Sequence, residues 1–308
     1  MTYSVIATTF NDSKEIPLFM EDMLNQTLSP NEIIVVDGGS KDNTVSILEK
    51  IKSENRSKII ITILSGKRLN ISQGYNAGLD AVTTECVGIV GIGNRYDKNF
   101  FMNLMSDLER DQSIDISYCR VRGQQKNTFQ KLYADTFLRG EDGDIPLTPT
   151  NHGVLARMEA INRLGRFYEH FIYAGEDTEY YWRVKKLGLK AYCNPNAMSF
   201  WDTPSSFKEF KKQVKNYTIA EMQLSTVFQS LRSCFKMFAI FIISVIGCAV
   251  LNVLALTPII FVALFYLYCL LRQKNIRQAW MLMSKYYLRL FYLIKFRKYW
   301  GKEYQVRF

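Results

Sequence analysis

Histidine is scarce in this chain: there are two, His152 and His170, well separated. One isolated imidazole does not make a metal site, so each reads as a loop or core residue. His152, beside Gly153, is the one that could face a bound ligand. None of the six cysteines forms a C-x-x-C pair, and two or three lie in apolar sequence near the C-terminus. That usage argues against a disulfide framework and for reduced thiols serving as small hydrophobes in a cytosolic setting. The opening residues, MTYSVIATTF, lack a basic n-region and an apolar run long enough for a signal peptide. The N-terminal body is therefore expected in the cytosol. Acids are nearly missing from the last part of the chain. From Arg272 to Phe308 there are ten Lys or Arg and one acid, Glu303, so this stretch carries nine of the ten net positive charges. A uniformly basic protein would point to nucleic acid; a basic tail beside apolar sequence points to anionic lipid.

What is present is a chain of 308 residues, 48% hydrophobic, enough for one large domain or two ordinary ones. Short β-branched runs alternate with helical patterns. Tyr3–Thr8, Glu32–Asp37, Lys58–Leu64, Cys86–Val90 and Ile114–Val121 read as strands. Glu15–Asn25, Asp42–Glu54, Ser72–Val82 and Asn99–Arg110 read as helices. That alternation predicts an α/β fold with a doubly wound, mostly parallel sheet and right-handed crossovers. Ligands bind such sheets at the carboxyl ends of the strands, which here carry Thr8–Asn11, Asp37–Ser40 and Gly91–Asn94. After Val121 the rhythm breaks. Arg122–Thr150 reads as a loop region, followed by a short helix near Glu159–Leu164, a strand at Leu189–Cys193 and a long helix over Ser205–Phe228.

Phe235–Leu271 carries no charge except Lys236. One straight helix of that length would be about 55 Å long, against a hydrocarbon core of roughly 30 Å. Two segments broken near Asn252–Pro258 are expected, forming a spanning or re-entrant hairpin; a buried soluble hairpin is the plainer alternative. Basic residues on both flanks place both ends on the cytosolic side. Met281–Trp300 mixes apolar and basic residues at helical spacing, as in an interfacial helix whose cationic side chains snorkel.

The stretch Ala174–Gly188, AGEDTEYYWRVKKLG, places Glu176 and Asp177 directly after a glycine, at the start of a helical pattern with Tyr180, Tyr181, Val184 and Leu187 on one side. Acids there suit the helix dipole as caps; a carboxylate held at the same place also suits a general base. Arg183, Lys185 and Lys186 read as a solvated face.

The ordered set SVIATTFN, EIIVVDGGSKDNT, ISQGYNAGL and GEDTEYYWRVKKLG resembles the inverting family 2 glycosyltransferases of GT-A fold, over roughly residues 2–222. The segment WDTPSSFKEFKKQVKNY is similar to the part that follows the active site in bacterial members building polysaccharides or lipid-linked glycans. The resemblance implies residues 1–230 as the transferase domain (1–121 nucleotide-binding, 122–230 acceptor-binding) and 231–308 as membrane hairpin and basic helix. It implies a nucleotide-sugar donor bound by Thr9, Phe10, Asn11, Asp37, Gly38, Gly39, Asn76, Gly91, Gly93 and Asn94. Phe10 would stack on the base, Asp37 would accept from base or ribose, and Gly38 and Gly39 would admit the main chain closely. Asp177 is implied as the base that deprotonates the acceptor hydroxyl, Glu176 as its orienting partner, and Trp201 and Gln213 as acceptor-side residues.

One departure is visible. Where the family usually carries an acidic D-x-D for Mg²⁺ or Mn²⁺, this chain has Gly91-Ile92-Gly93 and then Asn94. Asn94, Asp97 and Asp202 are the oxygen ligands left for a hard cation, so a metal cofactor stays open. Lys67, Arg68 or Arg95 could offset the diphosphate instead. The expectation is a membrane-associated glycosyltransferase on the cytoplasmic face, anchored by 235–271, acting on a glycan or lipid-linked acceptor. The alternative is a non-catalytic donor-binding or scaffold subunit of a glycan assembly complex.

Overall fold

The computed structural model describes residues 1–138, 148–171, 173–224, 227–251, 256–273 and 275–299, with backbone alone for 227–234. In chain order its first half runs β1 (Tyr3–Thr9), α1 (Ile16–Leu24), β2 (Glu32–Asp37), α2 (Thr44–Glu54), β3 (Ile60–Leu64), α3 (Ile71–Ala81), β4 (Cys86–Ile89), β5 (Arg95–Tyr96), α4 (Phe100–Arg110) and β6 (Ile116–Gly123). It continues α5 (Thr128–Phe137), β7 (Val154–Arg157), α6 (Met158–Leu164), α7 (Glu176–Lys186), β8 (Ala191–Trp201), α8 (Phe207–Gln223), α9 (Val227–Val250), α10 (Thr257–Gln273) and α11 (Ile276–Lys295). Two compact units result. The first comprises Met1–Gln124, Glu141–His170 and Glu176–Asp202; the second comprises Gln125–Gly140, Phe171–Gly175 and Thr203–Phe308.

The first unit is an eight-stranded sheet in the order β3-β2-β1-β4-β7-β6-β8-β5. Strands β1 to β4 pair in parallel, as their patterning predicts. The sheet as a whole is mixed, because β7 lies antiparallel to both β4 and β6, and β5 antiparallel to β8. Alternate residues of β1 and β2 serve opposite faces. Val5, Ala7, Ile33 and Val35 join α1 and α4 in one core. Ile6, Ile34 and Val36 join Tyr75 of α3 and Tyr180 and Tyr181 of α7 in the other. Helix α3 sits close because of Gly74: a Cβ there would lie 2.7 Å from Thr8 Cγ2.

Three departures have local causes. Leu189–Cys193 is the start of a longer strand: the β6–β8 register shifts after Tyr118 and pairing resumes from Arg120 with Met198. Asn194-Pro195 reads as a terminator but forms a bulge, since Asn194 Nδ2 donates to the buried Asp107 carboxylate (2.7 Å) and its Oδ1 accepts from the Asn196 and Ala197 N–H groups. Within the expected loop Arg122–Thr150, Thr128–Phe137 is helical, capped by Asn127 Oδ1 accepting from Gln130 N–H (2.9 Å); residues 139–147 lie outside the described residues. The expected helix Ser205–Phe228 ends as α8 at Gln223, and 225–226 again lie outside the description.

In the second unit α9, α10 and α11 pack through Met237, Phe265, Cys269, Ala279 and Tyr286, with Phe137 of α5 against them, and α8 packs on α11 through Ile219, Met222 and Leu293. The break foreseen at Asn252–Pro258 falls partly outside the described residues, and α10 resumes at Thr257 with Pro258 in its first turn. Among the described residues no helix is long and apolar enough to cross a membrane. The 17 residues of α10 span about 26 Å, short of the roughly 30 Å hydrocarbon core. The spanning form of the expected hairpin is thus unsupported. Yet Phe235, Phe238, Ile242, Ile246 and Val250 of α9 and Ile259, Val262 and Leu271 of α10 are exposed, Val250 to 76%.

Candidate active site

The strand tips of the first unit are stitched together by backbone and carboxylate contacts. Gly38 N–H donates to the Thr9 carbonyl (2.8 Å), and Leu69 N–H to the Gly38 carbonyl (3.4 Å). Asp37, buried at the end of β2, accepts from Gly39 N–H (3.0 Å) and Ser40 N–H (3.0 Å). Its carboxylate thus holds the turn, with lone pairs left over for a ligand. Gly39 has φ +89°, a left-handed conformation that disfavours any side chain, and Lys67 and Arg68 backbone atoms abut it. Asn11, at φ 58°, locks the neighbouring tip: its N–H donates to Ser40 Oγ (2.8 Å) and its Oδ1 accepts from Lys41 N–H (2.8 Å). Thr9 Oγ1 donates to Asp12 (2.9 Å), whose carboxyl burial pushes upward. Phe10 is exposed, and the Arg68 guanidinium lies 4.1 Å from its ring centre. An aromatic face beside a cation is suited to a base and a phosphate.

Asn76 makes contacts within the fold. Its Nδ2 donates to the Phe167 carbonyl (2.9 Å) and Glu169 Oε1 (2.8 Å), and its Oδ1 accepts from Phe167 N–H (2.8 Å). This amide fastens α3 to the loop before α7. Arg95 is likewise committed, bidentate to Asp22 at 2.7 and 2.6 Å, which leaves Lys67 and Arg68 as the expected diphosphate cations.

After β4 the chain turns through Gly91, Ile92 and Gly93, and Tyr96 organises the turn. The Tyr96 hydroxyl accepts from Gly91 N–H (3.1 Å) and Asn94 Nδ2 (3.1 Å) and faces the carbonyls of Gly91 (3.2 Å) and His152 (2.9 Å). Asp97 accepts from Asn99 N–H (2.8 Å) at the entry to α4. The donor set therefore does not suit a divalent cation. Two of the three positions at the strand tip have no side chain, Asn94 is held by Tyr96, and Asp97 is turned to a cap. Among the described residues no three His, Cys, Asp or Glu cluster as a metal site; Asp202 follows β8.

Helix α7 brings the acids in. Tyr180 and Tyr181 are fully buried, with Tyr180 stacked on Phe167 at 3.8 Å between ring centres. Packing of that face sets the first turn near the ends of the central strands β4 and β7. Glu176 is buried, one carboxyl oxygen has no hydrogen-bond partner among the described residues, and burial with the neighbouring Asp177 charge pushes it up to about 8. Asp177 is half-buried and accepts from Thr178 N–H (2.6 Å). Its charge acts on His152, buried against Trp201 at 4.9 Å, opposing the downward pull of burial. The charges of Glu176 and Asp177 also raise Tyr75, after burial, and the Tyr75 hydroxyl donates to the Val90 carbonyl (3.1 Å). Tyr181 donates to Asn151 (3.2 Å). Through Tyr75, Asn151 and His152 the late acids meet the turn after β4. Motif reading missed Tyr75, Tyr96 and Asn151, whose only sequence signal is an ordinary tyrosine or asparagine. The expected solvated face of Arg183, Lys185 and Lys186 holds only in part. Arg183 donates to the Leu164 (2.6 Å) and Arg166 (2.8 Å) carbonyls and to Glu179 (2.7 Å), so it is a clasp, while Lys185 and Lys186 are exposed. Gln213 lies on α8 in the second unit, accepting from Tyr133 (2.8 Å). His170 packs on Tyr168.

Residues 4–187 match the sequence model of Glycosyl transferase family 2. The chain belongs to that family. This glycosyltransferase is 24% identical over 234 residues, 71% of its length and 72% of the other's, to the dolichyl N-acetyl-alpha-D-glucosaminyl phosphate 3-beta-D-2,3-diacetamido-2,3-dideoxy-beta-D-glucuronosyltransferase of Methanococcus voltae. Its fold is similar to mannosyltransferase PcManGT from Pyrobaculum calidifontis, solved with GDP-Man and Mn²⁺, with TM-score 0.58 and 17% identity over 74% of this chain and 64% of that one. It is also similar to S. aureus TarS 1–349 with UDP-GlcNAc, with TM-score 0.52 and 16% identity over 72% of this chain and 67% of that one. The glycosyltransferase thus spans just under two thirds of the mannosyltransferase it resembles in fold.

Proposed function

We propose that this glycosyltransferase moves a sugar from a nucleoside-diphosphate sugar to a hydroxyl of a glycan or lipid-linked acceptor, with inversion. The observation that carries the reading is the Glu176–Asp177 pair: a half-buried carboxylate beside a buried carboxyl with an unpartnered oxygen, next to His152 and the turn after β4. The base stacks on Phe10, and Arg68 with Lys67 faces the diphosphate. Asp177 takes the proton of the acceptor hydroxyl. The acceptor oxygen forms its bond to the anomeric carbon as the bond to the phosphate oxygen breaks, and the nucleoside diphosphate leaves with the electron pair. Glu176, protonated at neutral pH, donates a hydrogen bond that orients the acceptor. The strand tip, Gly91-Ile92-Gly93-Asn94, lacks the carboxylates to hold a divalent cation, and Lys67 with Arg68 takes the diphosphate charge.

The exposed aliphatic and aromatic side chains of α9 and α10, with the basic C-terminal stretch, favour contact with one leaflet of an anionic membrane at its cytoplasmic face. The relative from Methanococcus voltae is named for a dolichyl-linked acceptor, which fits a lipid-borne substrate held at that surface.

The test is a transfer assay with full-length protein, a panel of nucleotide-sugars and membrane extract, with and without EDTA. One donor giving product of opposite anomeric configuration, with EDTA tolerated, is expected. Failure of every donor to be consumed or bound, with any metal present, would turn the reading toward a scaffold subunit.

A further inference from the structure

The second unit holds a cavity of about 70 Å³ between α5, α8 and α11. Two cations reach it from α11, Lys285 and Arg289, and one acid from α8, Glu221, which pairs with Arg289. Among the described residues no carboxylate pairs with Lys285. Its ammonium lies 4.5 Å from the centre of the Phe137 ring, over a face that attracts cations but does not neutralise them. Phe210 lines the cavity, its ring stacked with Phe137 at 6.1 Å. Tyr133 fixes the Gln213 amide at its oxygen (2.8 Å), so the Nε2 donors are the end left for a ligand. The local charge is one in excess on the positive side, enclosed by aromatic walls. The volume is far below the roughly 300–1,000 Å³ of pockets that enclose whole small molecules, so it takes one small group and not a nucleotide or a sugar chain.

We propose that this cavity binds a single phosphoryl anion carried on a lipid, with Lys285 and Arg289 as its ligands, the Phe137 and Phe210 rings against the first carbons of the chain, and Gln213 as a further donor. A phosphate monoester in its singly charged form balances the excess positive charge. The apolar surface of the same unit favours a lipid over free phosphate: α11, which lines the cavity, exposes Ile276, Trp280 and Ile294, and α10, which packs on α11, exposes Ile259, Val262 and Leu271. Burial holds the Lys285 amine below its usual range, which an incoming anion reverses. The inference deepens the lipid-borne acceptor reading by naming the charged group recognised in the second unit.

The test uses full-length protein in maltoside micelles. Acylation of Lys285 by an amine-specific reagent is followed by mass spectrometry alone, with inorganic phosphate, and with dodecyl phosphate. Dodecyl phosphate should slow acylation by about tenfold or more, as a neighbouring anion restores the protonated form. Protection by dodecyl phosphate at far lower concentration than by inorganic phosphate supports the lipid source. Equal protection overturns that source and leaves free phosphate as the ligand. No protection by either overturns the site. In a second measurement dodecyl phosphate should raise the melting midpoint of the wild type and of Lys285→Arg but not of Lys285→Met; a full shift in Lys285→Met also overturns it. Nucleotide-sugar binding is measured on the same sample. If it is absent while Lys285 is protected, the transferase reading fails and this site stands; the converse result separates them the other way.

Discussion

Asp177 and Glu176 are neighbours in sequence with different environments, and the roles proposed for them rest on that contrast. Asp177 keeps contact with solvent, whereas Glu176 is enclosed and faces the Asp177 charge. Asp177→Asn should lower kcat by about 10²–10⁴-fold with donor binding retained, since it removes the proton acceptor and little volume; single-turnover transfer alongside donor titration checks it. Glu176 has a stability signature of its own. Its folded value of about 8 lies above the ordinary 4.5, so between those values the folded protein holds more protons than the unfolded one, and stability falls as pH rises. Glu176→Gln removes that dependence. Its melting midpoint relative to wild type should be level at about pH 4, climb toward about pH 8 and then flatten; a parallel offset at every pH would exclude a buried, protonated Glu176.

At the scale of elements, α3 is held by two features with distinct costs. Gly74→Ala forces a methyl to 2.7 Å from Thr8 Cγ2 and should destabilise by about 1–3 kcal/mol through overpacking. Asn76→Ala strips three hydrogen bonds from the loop at Phe167–Glu169 and should cost about 1–3 kcal/mol, read by denaturant unfolding, with the donor KM little changed. A large rise in donor KM at unchanged stability would return Asn76 to the nucleotide site. The strands β1 to β4 and helices α1 to α4 were legible because each has its own period and its own turn residues. β7 and α5 were not. Val154–Arg157 is four residues long and gains its identity from pairing with β4 and β6, and the α5 cap at Asn127 sits in polar sequence that reads equally well as a loop.

For the whole molecule, the charge-poor run from Phe235 predicted apolar helices, and these form. Which of their side chains stay outside is a matter of packing: Met237, Cys248, Phe265 and Cys269 turn inward while Phe238, Ile246 and Ile259 stay exposed. Replacing exposed residues with lysine, as in Phe238→Lys with Ile246→Lys, should reduce cosedimentation with anionic vesicles by about tenfold or more. Met237→Lys would instead unfold the helix pair, so circular dichroism distinguishes the two effects. Unchanged cosedimentation of the exposed-face variant would remove the membrane from the functional reading.

Periodicity and turn chemistry were enough to read the α/β class and the strand tips, and to place Glu176 and Asp177 at the start of a helix, because each is a local property of a few consecutive residues. Which partners each polar side chain takes was decided only by tertiary structure. Asp37 and Asn76 carry the same expected donor role; in the fold Asp37 holds a turn and Asn76 bonds a loop more than ninety positions away. Arg183 reads as a surface charge and is a clasp on two carbonyls. In each case a polar side chain has several partners within reach of its chemistry, and the folded chain alone determines which one comes within hydrogen-bonding distance.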